Sequence, residues 1–199
     1  MQLFVTDPTK NLLPFDGMVH YHGCILNHME CARYLTLLMH SIEWKHDEVI
    51  MFGKRIVTAR QTAWHGDGNF KYTYSRITRT ALPWTPVLLE LKKIVEKISG
   101  ETYNACLLNL YHNGKEGMAW HSDDEVELKK NAAIASVSLG AERKFEFKHK
   151  TNQTKVALTL ENGSLLVMRD NTQTHWLHRL PPKAKVQEAR INLTFRTVN

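Results

Sequence analysis

The sequence is poor in the features that secreted and membrane proteins rely on. Its 199 residues include only three cysteines, Cys24, Cys31 and Cys106, with no CxxC pair. An odd, widely scattered set does not make a disulfide framework, and we expect reduced, buried, inert thiols. No stretch approaches the roughly 18 apolar residues of a membrane span. The opening MQLFVTDPTK lacks the basic region and apolar run of a secretory signal. No repeat, low-complexity tract or linker divides the chain. The expectation is one domain over 1–199, monomeric, off the membrane and intracellular: cytoplasmic in a bacterium, nuclear in a eukaryote.

What is present suffices for a full core: 43% of residues are apolar, with five Trp and seven Phe. The formal charge of +6 and the pI near 9.2 favour a polyanionic partner without identifying it. Eleven histidines exceed what any single site uses.

Spacing predicts two helices. Leu35, Leu38, Met39 and Ile42 recur at helical intervals over His28 to Ile42; Leu88, Leu91, Val95 and Ile98 do so after Thr85 as N-cap and Pro86 in the first turn, with Gly100 as the stop. Between them, EVIMFGKRIVTARQTAWHGDGNFKYTYSRIT alternates β-branched or aromatic with polar residues around a GDGN break, the pattern of hairpins, and is both basic and aromatic. From Asn104 onward come short strands: ACLLNLYH, AIASVSLG, KFEFKHK, KVALTL, SLLVM and ARINLTFRTV, punctuated by turn signals such as NG and ENG. Strands in series without intervening helices indicate an α+β protein with a sandwich or jelly-roll core, not a parallel sheet.

His121-Ser122-Asp123 sets an imidazole and a carboxylate two residues apart, on one face of an extended segment, so that both can grip one ion. A further histidine from a distant strand would complete a facial triad that leaves coordination positions open at iron(II). His175 and His178 in THWLHRLP are the candidates. ARINLTFRTV sets Arg190, Asn192, Thr194 and Arg196 on one face, and Ile191, Leu193 and Phe195 on the other. The two arginines lie roughly 20 Å apart along a strand, a spacing suited to the two ends of an elongated dianion and not to one carboxylate. Asn109 and Tyr111 share a strand face and can add hydrogen bonds to the same ligand.

The ordered segments NLYHNGKEGMAWHSDDE, ASVSLGAERKFEF, NGSLLVM, HWLHRLP and ARINLTFR resemble the AlkB family of oxidative demethylases. The likeness extends back through FGKRIVTARQTAWHGDGNFKYTYSRIT, covers about residue 20 to the end, and is strongest toward vertebrate-type homologues that repair methylated nucleic acids. It implies a double-stranded β-helix core at about 104–199, flanking N-terminal helices and a β-hairpin nucleotide-recognition lid at about 45–80. It makes His178 the third iron ligand beside His121 and Asp123. Arg190, Tyr111 and Asn192 would hold the far carboxylate of 2-oxoglutarate, Arg196 and Asn109 its chelating end, and Thr194 would line the pocket.

The chemistry implied is hydroxylation of an N-methyl group on 1-methyladenine or 3-methylcytosine, using dioxygen and 2-oxoglutarate and releasing formaldehyde and succinate. DNA is the implied partner, with RNA also open. The methylated base must leave the stack to react. By the same resemblance Tyr72, Thr73 and Tyr74 line the base pocket, with Tyr74 opposite His121, while Phe52 and Gly53 form an intercalating tip. We expect Lys54, Arg55 and Arg60 on phosphates, and Asp124 and Glu125 reading the cationic lesion, which a carboxylate favours over the neutral base. Alternatives are an RNA-, tRNA- or protein-directed hydroxylase of the same fold, and an inactive nucleic-acid-binding module.

Overall fold

A computed structural model describes residues 7–51, 54–68, 70–74 and 77–199; the side chains of 47–51, 54–56, 71–74 and 77–79 lie outside the described set. Both expected helices form. α1 (His28–Ser41) opens with a capping box in which the Asn27 side chain accepts the Glu30 N–H and the Glu30 carboxylate accepts the Asn27 N–H. Two N–H groups that a first turn leaves orphaned are thereby satisfied. α2 (Pro86–Ser99) is capped by Thr85 and stops at Gly100, whose φ of 72° is one that glycine adopts without strain.

The buried stripes are narrower than the apolar spacing suggests. Cys31, Tyr34 and Leu38 face inward from α1, and Val87, Leu88, Leu91 and Val95 from α2, while Met39 and Ile98 are exposed. Each helix presents essentially one row of side chains to the sheet, so an apolar residue one position off that row turns to solvent. The cysteines are free, but only Cys31 and Cys106 are buried. Cys24 is exposed because it ends the edge strand β1 (Met18–Cys24).

The other strands are β2 (Lys45–Met51), β3 (Lys54–Gly66), β4 (Lys71–Tyr74), β5 (Ile77–Thr80), β6 (Ala105–Tyr111), β7 (Met118–His121), β8 (Ile134–Gly140), β9 (Arg143–His149), β10 (Lys155–Leu160), β11 (Ser164–Arg169), β12 (Trp176–Leu180) and β13 (Arg190–Arg196). A short helix, α3 (Thr172–His175), precedes β12. The strands pair antiparallel into sheets ordered β1-β11-β8-β13-β6-β3-β2 and β10-β9-β12-β7, plus the pair β4-β5. From β6 onward this is the expected jelly roll, two four-stranded faces with β1 and β3-β2 extending the larger one.

Three strands, β1, β7 and β12, lie outside the expected set. In β1 buried Val19 and Tyr21 alternate with half-buried His20 and His22. The hairpin β2-β3 is not detached from the core: Gln61–Gly66 of β3 pairs with β6, so its inner half is a wall of the jelly roll.

α1 and α2 cover the outer face of the large sheet, packing Leu38, Leu88 and Leu91 against Leu108, Val137, Leu165 and Leu193. Each such side chain contributes about 1.5–3 kcal/mol on burial. Between the sheets, the β1, β11, β9 and β10 side is apolar, with Val19, Phe147, Leu166 and Met168. The β13, β6 and β7 side is polar and opens into a pocket. No helix among the described residues is long and apolar enough to cross a membrane.

Candidate active site

Strand register brings together residues distant in sequence. β12 pairs antiparallel with β7 so that His178 stands directly opposite His121, and the rings meet edge-on with centroids 4.2 Å apart. The approach depends on Gly117, where an added Cβ would lie 2.5 Å from the Leu180 carbonyl oxygen. His121, Asp123 and His178 each offer a donor atom, all within 4.8 Å of one another.

The donors are prepared chemically. His121 Nδ1 lies 2.8 Å from the Ala119 carbonyl; a carbonyl only accepts, so Nδ1 is the donor there, which fixes the ring with Nε2 facing Asp123 at 3.7 Å. His178 is buried against Phe145 and Phe147. Burial, reinforced by His121, pushes its pKa down to about 3, so it is neutral at physiological pH. Asp123 is also buried, which opposes ionisation, but Arg196 overcomes this and holds the carboxyl below its usual range. Two imidazoles and one carboxylate on one side of a pocket form a donor set suited to iron(II) with open positions.

The polar row of β13 is not a solvated edge. Arg190 and Arg196 are 2% and 3% exposed, held in by Ile191, Leu193 and Phe195 on the opposite, fully buried row. Arg196 forms a 2.9 Å ion pair with Asp123 and approaches Glu125 at 3.9 Å. Arg190 donates to Ser138 Oγ at 2.9 Å and Asn192 Oδ1 at 2.7 Å, and lies over the Tyr111 ring. The Asn192 amide continues the chain to Thr194 Oγ1. Burial lowers the Arg190 pKa to about 10, which still leaves it charged at neutral pH. Arg190 Nε and Asn109 Oδ1 make no hydrogen bond among the described residues. Buried polar atoms of this kind are ordinarily satisfied, here by a ligand or water.

Other expected residues fall differently. Arg60 is not on the outer surface: it is buried, lines the pocket and lies 2.8 Å from Met118 Sδ. It stands just before the part of β3 that pairs with β6 and lines the pocket together with Thr62 and Trp64. Glu125 lines the pocket, whereas the exposed Asp124 is turned to Ser122 and Lys150. His175 belongs to a different cluster, with Asp16 and His149. Phe52 and Gly53, and the side chains of Lys54, Arg55, Tyr72, Thr73 and Tyr74, lie outside the described residues.

Two residues the sequence did not single out brace the His121–Asp123 segment. Gln173 Oε1 accepts the Asp123 N–H at 2.9 Å. Lys150 Nζ donates to Ser122 Oγ and to the Gln173 carbonyl at 3.1 and 2.8 Å. No local pattern marks either, because both act across about 20 to 50 residues of chain. Gln173→Leu orphans the Asp123 N–H. Loss of such a supporting contact typically weakens metal binding about 10- to 100-fold, the expected result of an iron(II) or manganese(II) titration; unchanged affinity would show the bond to be idle.

A jelly roll with a His-Asp-His cluster on one inner wall and buried arginines on the other defines the class of metal-dependent oxygenases that use a 2-oxoacid. Comparison with known proteins agrees: the profile of the 2OG-Fe(II) oxygenase superfamily matches residues 17–196. Alpha-ketoglutarate-dependent dioxygenase alkB homolog 3 of Bos taurus is 43% identical over 171 residues, 81% of this chain and 59% of that protein. DNA oxidative demethylase ALKBH2 of Homo sapiens is 42% identical over 158 residues, 75% of this chain and 60% of that protein. The structure of OsALKBH1 superposes with a TM-score of 0.63 at 18% identity, covering 93% of this chain and 98% of the other, a likeness of fold. The chain belongs to the 2OG-Fe(II) oxygenase superfamily and, within it, to the AlkB family. It spans about 60% of the length of these two relatives.

Proposed function

We propose that the protein is an oxidative demethylase of N-alkylated bases, 1-methyladenine and 3-methylcytosine, in DNA, with release of formaldehyde and succinate. The observation that carries this reading is the His121–Asp123–His178 cluster facing Arg190 and Asn109 across one pocket, in a chain 42% identical to a DNA oxidative demethylase.

In this reading iron(II), held by His121, Asp123 and His178, supplies the activation of dioxygen that couples 2-oxoglutarate decarboxylation to hydroxylation of the methyl group. The chain's own part is placement. Arg190, with Tyr111 and Asn192, anchors the far carboxylate of 2-oxoglutarate, whose charge its buried guanidinium awaits. Arg196 and Asn109 orient the other end, Thr194 lines that pocket, and Arg196 also holds Asp123 in its ligating pose. The hydroxymethyl left on the base nitrogen then collapses to formaldehyde and the repaired base.

The domain 1–199 acts as one unit, with the hairpins at 45–80 as the nucleotide-recognition lid over the core at 104–199. Tyr72, Thr73 and Tyr74 receive the base, Phe52 and Gly53 enter the stack, and Lys54 meets phosphate. Glu125 reads the cationic lesion from the pocket wall, and Asp124 from its rim. Trp120, with Lys148 and Arg179 at 4.8 and 4.5 Å from its ring, sets an aromatic and basic surface next to His121, as single-stranded nucleic acid favours. The enzyme works as an intracellular monomer, nuclear in a eukaryote or cytoplasmic in a bacterium.

Formaldehyde release is the test. With iron(II) and 2-oxoglutarate, oligonucleotides carrying 1-methyladenine or 3-methylcytosine should turn over and methylated peptides should not. DNA and RNA, single- and double-stranded, form the panel; turnover of peptide alone overturns the reading.

A further inference from the structure

We propose that Asp16, His149 and His175 form a second divalent-metal site, built for zinc and separate from the His121–Asp123–His178 cluster. Their donor atoms all lie within 4.8 Å of one another. His149 is the anchor. It ends β9 and is 4% exposed, with the edges or faces of Phe15 and Trp176 packed around its ring at centroid distances of 5.2 and 5.0 Å. This apolar cage leaves its Nε2 facing the Asp16 carboxylate at 3.4 Å, and that buried nitrogen makes no hydrogen bond.

The separation is itself informative. At 3.4 Å the pair is wider than an ordinary N–H···O bond, yet it matches the edge of a tetrahedron of about 3.3–3.4 Å that follows from zinc–ligand distances of about 2.0–2.1 Å. His175, at the end of α3, supplies the third donor once its ring turns out of the parallel stack it makes with His149 (interplanar angle 8°), because imidazole lone pairs lie in the ring plane. The remaining gaps close by rotating two side chains that packing does not lock: Asp16 is exposed and His175 partly so. Two imidazoles, a carboxylate and a solvent-facing fourth position taken by water complete a tetrahedral zinc site.

Binding at Nε2 puts the His149 proton on Nδ1, which now accepts a long, 3.3 Å contact from the Asn152 N–H. That contact is given up, a readable signature of the event. The site ties the segment around Asp16 to β9 and to α3, the helix that carries Gln173 and so braces Asp123.

The test uses the whole chain with cobalt(II) as probe, because tetrahedral cobalt absorbs far more strongly in the visible than octahedral cobalt and needs no turnover. Metal-free wild-type protein should take up two equivalents, His121→Ala one with the intense tetrahedral band, and His175→Ala one without it. In the His121→Ala chain, zinc should raise the melting temperature and move the His149 ring-nitrogen NMR signals to the Nδ1-protonated form; adding His175→Ala should remove both effects. Matching melting curves without metal establish that the variants fold alike. One equivalent in wild type, or an intense band surviving in His175→Ala, overturns the site without touching the iron assignment, which the His121→Ala arm reads separately.

Discussion

His121→Ala is expected to abolish iron- and 2-oxoglutarate-dependent succinate formation while leaving oligonucleotide binding nearly intact. Losing a contact that merely supports a ligand costs about 10- to 100-fold, so losing the ligand itself should exceed about 100-fold. The substitution is structurally mild: the His121 side chain is 25% exposed, and its hydrogen bond reaches a carbonyl two residues away. His178→Ala would be a poorer test, since it empties a site packed against two phenylalanine rings. Parallel measurements of succinate and of oligonucleotide affinity decide the matter; turnover within a few-fold of wild type would remove His121 from the iron.

Arg196→Leu is expected to destabilise the metal-free protein by about 3–5 kcal/mol, the usual cost of stranding one partner of a buried ion pair. Arg196 and Asp123 are each about 4% exposed in their side chains and 2.9 Å apart, so the carboxylate left behind has little water to turn to. The double variant Arg196→Leu/Asp123→Leu should recover much of the loss, because replacing both charges removes the stranded one. A divalent ion should also narrow the gap between Arg196→Leu and wild type, since the ion then neutralises Asp123. Urea unfolding of the metal-free chains measures the effect. A single-variant loss below about 1 kcal/mol, the range of an exposed pair, would show that Arg196 does not hold Asp123.

The pairing also changes how the RxNxTxR row of β13 is understood. Read along the strand, its arginines bracket an elongated dianion. Folded, both line the pocket but have different neighbours: Arg190 bonds Ser138 and Asn192, while Arg196 pairs with the Asp123 carboxylate. The sequence spacing correctly puts both on one face but cannot say which acid each meets, because Asp123 arrives from another sheet.

What the sequence determined by itself is what depends on near neighbours. The capped ends of α1 and α2, the alternation that makes β13 apolar on one row and polar on the other, and the shared face of His121 and Asp123 all follow from helical and strand periods acting over a few residues. Tertiary structure alone decided the rest. The pairing of β12 with β7 sets His178, not His175, opposite His121. The pairing of β3 with β6 makes Thr62 and Trp64 part of the pocket wall. Gln173 and Lys150 became braces only when α3 and β9 met the His121–Asp123 segment. Register between strands far apart in sequence is chosen by the packing of whole sheets, and no local pattern encodes it.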